Sequence, residues 1–251
     1  MAPGVPPSCR FPASNGARLG TVARILSRWS TMVYVNGFLN RRGLPVKLHT
    51  SFGPNPRTVR IFMAEKGIEI PLEQVDLVAG ENRRPPYTDK NPAGQLPCLE
   101  LDDGSHLAEI TAICEYLEET RPEPPLIGTT PEERAQTRMW TRRVDLNILE
   151  PLANGFRFAE GLEIFKNRVH VIPQAADDLK DIAGEKLEWL NGLIGGREFI
   201  AGDRFTLADI LLYAFVELAE SVGHPLDAKL ENLQGWYARV RSRPSVAASS
   251  D

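Results

Sequence analysis

The stretch NPAGQLPCLELDDGSHLAEITAICEY, residues 91–116, constrains this chain more than any other. An X-Pro peptide turns cis at a cost of only about 0.5 to 1 kcal/mol, and Leu96-Pro97 closes a strand, with Cys98 following the proline on its inward-looking side. Asp103-Gly104 is a tight-hairpin signal, so a second strand is expected after it, running into a helix whose first turn carries Glu109. With the proline cis, Leu96 offers its N–H and C=O sideways and behaves as a free strand edge. An extended peptide pairs with such an edge through main-chain hydrogen bonds. The positive end of the Glu109 helix favours a ligand carboxylate.

The residues upstream complete a domain around this stretch. Val46 to Thr50 alternates as a short strand, and Pro54-Asn55-Pro56 stops it. Asn55 is the expected N-cap of a following helix and Pro56 its first residue. Val59, Phe62 and Met63 recur at helical spacing down to a Gly67 terminator. Pro71 to Leu77 supplies the next strand. A right-handed βαβ unit followed by ββα predicts a thioredoxin-like domain over 46–120. Residues 121–130 are a proline-rich stretch without periodicity and read as a linker. Over 131–251 every recognisable segment is helical: Pro131 to Leu152, Gln174 to Leu193, Thr206 to Glu220 and Leu233 to Arg241. Thr206 and Asp209 have capping-box spacing, with Phe205 and Ile210 as a hydrophobic staple. Leu207 to Val216 is apolar on nearly all sides, which places that helix mid-domain and makes the Thr206/Asp209 pair a folding element rather than a catalytic one. The predicted fold class is therefore α/β plus all-α: a thioredoxin-like βαβ-ββα domain followed by a helical bundle.

A formal net charge of −4 and a pI near 5.7 argue against a nucleic-acid partner or an anionic membrane surface. No stretch is apolar enough for long enough to span a bilayer. Cys9, Cys98 and Cys114 form neither a CxxC nor a metal-ligand spacing, so no disulfide framework and no metal site is expected. His49 and His106 lie at strand positions and read as half-buried polar residues, His170 and His224 lie near loops or helix ends without acidic partners at ligand spacing, and none is assigned chemistry. The segment 1–45 contains no Asp or Glu and is rich in Pro, Ser, Ala and Arg. It reads as a disordered extension or an overlong reading frame, with Met32 as the alternative start. Its amphipathic run Val22, Ile25, Leu26 and Trp29 also resembles a transit peptide. The expected location is cytoplasmic, or organellar if residues 1–31 act as such a peptide.

Taken together, PNPRTVRIFMAEKGI, NPAGQLPCLE, LAEITAICEYLEE, FIAGDRFTLADILL and WYARVRSRPSV resemble, in this order and spacing, the soluble glutathione transferases. The likeness runs from Val46 to the C-terminus, and its PNPR variant is similar to the bacterial and fungal branches. It implies glutathione as cosubstrate, no metal, an apolar electrophile as second substrate and a homodimer. The implied reaction is conjugation of the glutathione thiolate. A glutathione-dependent peroxidase or reductase, or a non-catalytic binding module, are the alternatives.

The resemblance also implies roles. Leu96, beside Pro97, pairs with the cysteinyl part of glutathione, and Gln95 lies near its glycine end. Glu109 suits the γ-glutamyl ammonium group. Ile110 replaces the usual serine and offers only its N–H, so Thr111 is expected to supply a hydroxyl. Arg84, with Arg83, is a candidate for the glycine carboxylate. A free thiol near pKa 8.5 is only a few per cent ionised at neutral pH, so a donor to the sulfur is required. Gly53 falls where a catalytic Ser or Cys often sits, and cannot donate from a side chain. Ser51 is the first candidate, with Thr50 and Asn55 as fallbacks. Phe52 and Phe156, with Trp140 and Phe158, are candidates to line the apolar pocket.

Overall fold

In a computed structural model of the protein, residues 46–250 are described. The expected extension over 1–45, with its transit-peptide alternative, lies outside the described residues, as does Asp251. Strand β1 (Lys47–Thr50) is followed by helix α1 (Pro54–Glu65), strand β2 (Leu72–Gln74), the short helix α2 (Tyr87–Lys90), strands β3 (Cys98–Glu100) and β4 (His106–Leu107), and helix α3 (Ile110–Thr120). The sheet order is β2-β1-β3-β4, with β2 parallel to β1 and the other pairs antiparallel. This is the thioredoxin-like arrangement expected from the sequence. The Asp103-Gly104 hairpin is formed, Gly104 taking φ 84 where a side chain would be strained.

Strand alternation gives the sheet two faces. Leu48 and Leu99 join Val59, Phe62, Ile113 and Leu117 in the main core under α1 and α3. Cys98 lies on the opposite face in a smaller cluster with Val75, Tyr87 and Leu96. Two boundaries differ from expectation. The N-cap of α1 is Gly53, at φ 110, and not Asn55. Pro54 and Pro56 both fit the first turn, which needs no N–H, so the helix starts earlier and the Asn55 side chain is released from capping. Strand β2 is shorter than Pro71 to Leu77 because β1 stops at Thr50, leaving no partner beyond it.

The helical half comprises α4 (Pro131–Val144), a π-helical turn (Asp145–Leu149), α5 (Glu150–Phe158), α6 (Leu162–Phe165), α7 (Ala176–Ile194), α8 (Leu207–Ser221), α9 (Glu231–Arg241) and α10 (Pro244–Ala248). The expected single helix from Pro131 to Leu152 is interrupted because Pro151 has no N–H for the next hydrogen bond. Helix α8 is buried from Leu207 to Val216. The Asp209 carboxylate accepts from Thr206 N and Oγ1, Ile200 N and Trp236 Nε1, all at 2.9 Å.

The connector over 121–130 is pinned and not loose. The Leu126, Ile127 and Gly128 amides donate to the Glu118 carboxylate, which also meets Lys66 Nζ at 2.7 Å. Arg57 of α1 reaches Glu217 of α8 at 2.8 Å, and Arg243 reaches Glu65 at 2.6 Å. These buried and half-buried pairs hold the sheet end and the bundle together.

Candidate functional site

Two cavities meet where the cis Leu96-Pro97 peptide faces the bundle. The first, about 350 Å³, is polar and is lined by Gln95, Leu96, Pro97, Glu109, Ile110 and Thr111 from the sheet side, with Asp145, Leu149 and Glu150 opposite. The second, about 120 Å³, is apolar and is lined by Phe52, Leu77, Phe156, Ile164, Phe165 and Leu218 among others. Asn55, Gln95, Leu96, Ala153, Arg157 and Phe215 line both. Those shared residues mark the junction, where a group held in the polar cavity meets one held in the apolar cavity.

The junction has an unpaired peptide edge. The Gln95 carbonyl is fixed by Tyr87 Oη at 2.5 Å and Asn91 Nδ2 at 2.9 Å. Leu96 N–H and C=O have no hydrogen-bond partner among the described residues. Buried backbone groups are nearly always paired, so this pair is a vacant half of a β-ladder. It accepts an extended ligand.

Charge is unevenly divided between the two cavities. Glu109 caps α3 at φ 69, the sole non-glycine residue with positive φ among the described residues. Such a conformation costs about 1 to 3 kcal/mol and persists only where surrounding structure enforces it. Its carboxylate, with those of Asp145 and Glu150, makes the cavity acidic. Burial pushes the Asp145 carboxyl above the ordinary aspartate value; Arg142 pulls it back, and Glu150 and Glu109 add to the rise. A ligand ammonium group relieves that crowding. The first-turn amides of α3 beside it suit a carboxylate.

Arginines gather across the junction, on the apolar side. Arg83, Arg157 and Arg168 line the apolar cavity. Burial lowers the Arg83 pKa, and Arg168 and Arg157 lower it further. Arg83 Nε is buried without a partner, while its Nη1 donates to the Ala93 carbonyl at 3.2 Å. A carboxylate entering here meets an unspent donor in a positive field. Arg84, the expected candidate, is exposed and lines neither cavity, because the chain becomes extended after the 3-10 turn Glu81–Arg83.

The candidates for the sulfur donor are also reordered. Thr50 is fully buried and its hydroxyl accepts from Arg60 Nη1 at 3.1 Å. Ser51 is buried too, its carbonyl held by the same guanidinium at 3.0 Å. Neither lines either of the two cavities. The Arg60 guanidinium holds this end of β1 inward, and both residues stay buried. Asn55 stands at the junction, and its side chain has no hydrogen bond among the described residues. Phe52, 47% exposed, and Phe156 both line the apolar cavity. Trp140 belongs to the main core and Phe158 is buried away from the cavity. Burial pushes the Cys98 thiol up to about 11, which removes it as a nucleophile at neutral pH.

Sequence reasoning missed Asp145, Glu150, Arg157 and Phe215, all from the helical half. A signal existed for the first two. Pro151 in a helical run marks a break, and π turns recur at functional sites.

A family model described as glutathione S-transferase, N-terminal domain, matches residues 52–120, and one described as glutathione S-transferase, C-terminal domain, matches residues 155–244. The chain is 35% identical over 204 residues to glutathione S-transferase 2 of Saccharomyces cerevisiae, covering 78% of this chain and 85% of that protein. It is 35% identical over 207 residues to maleylacetoacetate isomerase of Pseudomonas aeruginosa, covering 81% and 92%. The crystal structure of a glutathione S-transferase domain-containing protein from Marinobacter aquaeolei superposes with a TM-score of 0.75 at 36% identity, covering 80% of this chain and 99% of that one. No helix among the described residues is long and apolar enough to cross a membrane.

Proposed function

The chain belongs to the glutathione S-transferase family, and on that premise we propose that it binds glutathione in the polar cavity and conjugates its thiolate to an electrophile in the apolar one. The unpaired Leu96 peptide edge at the junction of the two cavities carries this reading. The cysteinyl residue pairs with Leu96, and Gln95 flanks the glycine end. The γ-glutamyl ammonium lies among Glu109, Asp145 and Glu150, and its carboxylate lies at the Ile110 and Thr111 end of α3. Arg83 takes the glycine carboxylate, aided by Arg157 and Arg168. The sulfur then points at Asn55.

The chemistry needs little from the protein beyond ionisation and alignment. The bound thiol gives its proton to solvent. The thiolate sulfur forms a bond to the electrophilic carbon, and the leaving group departs with its electron pair. Holding sulfur and carbon in contact replaces a bimolecular encounter, and a positive N-terminus aimed at the sulfur favours the anion. A second reading is reversible addition of the thiolate to an unsaturated, carboxylate-bearing substrate. It is favoured by the arginines beside the apolar cavity and by the relative named an isomerase. We further infer a two-fold homodimer and a cytoplasmic location by analogy with the family.

Retention on immobilised glutathione tests the peptide site, and turnover of an aromatic halide, an organic hydroperoxide and an unsaturated dicarboxylate separates the chemistries. Retention with halide turnover is the expected outcome. Retention without turnover of any substrate assigns a binding module, and absence of retention overturns the proposal.

A further inference from the structure

On the face of the sheet opposite the main core, side chains from three strands converge. His49 comes from β1, Glu100 from β3 and His106 from β4. The register pairs Glu100 with Lys47 on one side and His106 on the other, so one carboxylate reaches both imidazoles. His49 Nε2 lies 3.3 Å from Glu100 Oε2, and His106 Nε2 lies 3.7 Å from the same oxygen. The three ligand atoms fall within 4.8 Å of one another.

Two features distinguish this cluster from a solvated polar patch. His49 is fully buried, and His106 Nε2 is buried without a hydrogen-bond partner. At 3.7 Å its approach to Glu100 is too long for a hydrogen bond. A tetrahedral ion with metal–ligand distances of about 2.0 to 2.2 Å holds adjacent ligand atoms about 3.3 to 3.6 Å apart; the two nitrogen-to-Glu100 distances of 3.3 and 3.7 Å lie close to that range, and the whole triad, within 4.8 Å, needs only a small contraction to reach it. A buried orphan nitrogen at that distance calls for an ion or a water.

We propose that His49, Glu100 and His106 form a binding site for a divalent transition-metal ion of the zinc type, separate from the glutathione site. Two imidazoles and one carboxylate suit zinc and its neighbours and disfavour magnesium or calcium, which prefer all-oxygen shells. Water completes the fourth position. The ion ties β1, β3 and the two-residue edge strand β4 together.

Two ammonium groups compete with it. Lys90 Nζ lies 3.4 Å from His49 Nε2 and Lys47 Nζ lies 3.6 Å from Glu100 Oε2. Glu73 offers both an alternative, standing 2.7 Å from Lys47 and 3.8 Å from Lys90. An incoming cation therefore displaces the lysines toward Glu73. Removing Lys90 is expected to tighten metal binding, an effect that damage to the fold cannot imitate.

The test is equilibrium dialysis of chelator-stripped full-length protein against zinc chloride, without thiols, followed by metal analysis. One equivalent is expected in the wild type. His106→Ala and Glu100→Gln are each expected to weaken binding about tenfold or more, and Lys90→Ala to strengthen it. Cobalt substitution reads the geometry, since a tetrahedral ion gives intense visible absorption that His106→Ala abolishes. Circular dichroism and retention on immobilised glutathione check that each variant is folded. Zinc binding below one equivalent, or the same affinity in folded His106→Ala and Lys90→Ala as in wild type, overturns the proposal.

Discussion

Asn55→Ala is the sharpest test of how the sulfur is ionised. The first turn of α1 contains Pro54 and Pro56, neither with an N–H, and the Arg57 N–H bonds to the Gly53 carbonyl at 3.1 Å. Asn55 therefore supplies the one backbone donor left in that turn, together with a side-chain amide that has no partner among the described residues. A hydrogen bond to a charged acceptor is worth about 1.5 to 3 kcal/mol, and a helix terminus about 0.3 to 1 kcal/mol. At about 1.4 kcal/mol per pKa unit, the side chain accounts for a depression of about one to two units and the helix end for less than one. Alanine removes the first contribution and keeps the second. The thiol of bound glutathione is expected to rise by about one to two units, read from the ultraviolet absorbance of the thiolate during a pH titration. The acidic limb of the kcat/KM profile should move by the same amount. Ser51→Ala, whose hydroxyl lines neither cavity, should leave the titration unchanged. A shift in Ser51→Ala with none in Asn55→Ala would refute the reasoning and return the donor role to the strand end.

Two other perturbations address stability and charge. Asp209→Ala orphans the buried N–H groups of Thr206, Ile200 and Trp236 while relieving a carboxyl whose pKa is raised by burial; the net loss should be about 3 to 5 kcal/mol in urea unfolding, and a loss under about 1 kcal/mol would mean that α8 is held by packing alone. Asp145 has a folded pKa raised above its unfolded value, so its contribution to stability falls as pH rises from the ordinary aspartate value of 3.8 through the raised one. A ligand ammonium lowers that pKa again, so glutathione binding should release protons in the same window and Asp145→Asn should abolish the release. Calorimetry in buffers of different ionisation enthalpy measures it, and equal proton release by wild type and Asp145→Asn contradicts the placement of the γ-glutamyl end.

Much of the fold was legible because its signals are local. Capping-box spacing at Thr206 and Asp209, the Asp103-Gly104 turn and the Leu96-Pro97 strand edge each specify a conformation within a few residues, and each is formed. The start of α1 was misread because two prolines compete for the N1 role and sequence alone does not rank them. The outcome turned on Gly53, which can adopt φ 110 where a side-chain-bearing residue is strained. That shift also frees the Asn55 side chain from the cap, which is why Asn55 and not Ser51 is the donor proposed above.

The sheet side of the site follows the same logic, whereas the bundle side does not. Gln95, Leu96, Pro97, Glu109, Ile110 and Thr111 are neighbours in sequence and neighbours in the polar cavity. Asp145, Glu150 and Arg157 join them across a domain interface set by Arg57–Glu217 and Arg243–Glu65, contacts with no local pattern. His49 and Glu100 illustrate the same limit, brought together by strand pairing over a separation of 51 residues. The distant contributions also supply much of the charge around the junction, Asp145 and Glu150 on the acidic side and Arg157 and Arg168 beside Arg83 on the basic side. The Leu96 edge can pair with any extended peptide, because main-chain hydrogen bonds carry little side-chain information. Selection of one peptide, and of its direction along the edge, must then come from the charges on both sides of it, those of the helical half included, so substitutions at Asp145 or Arg157 should alter which peptide is chosen more than how firmly the backbone is held.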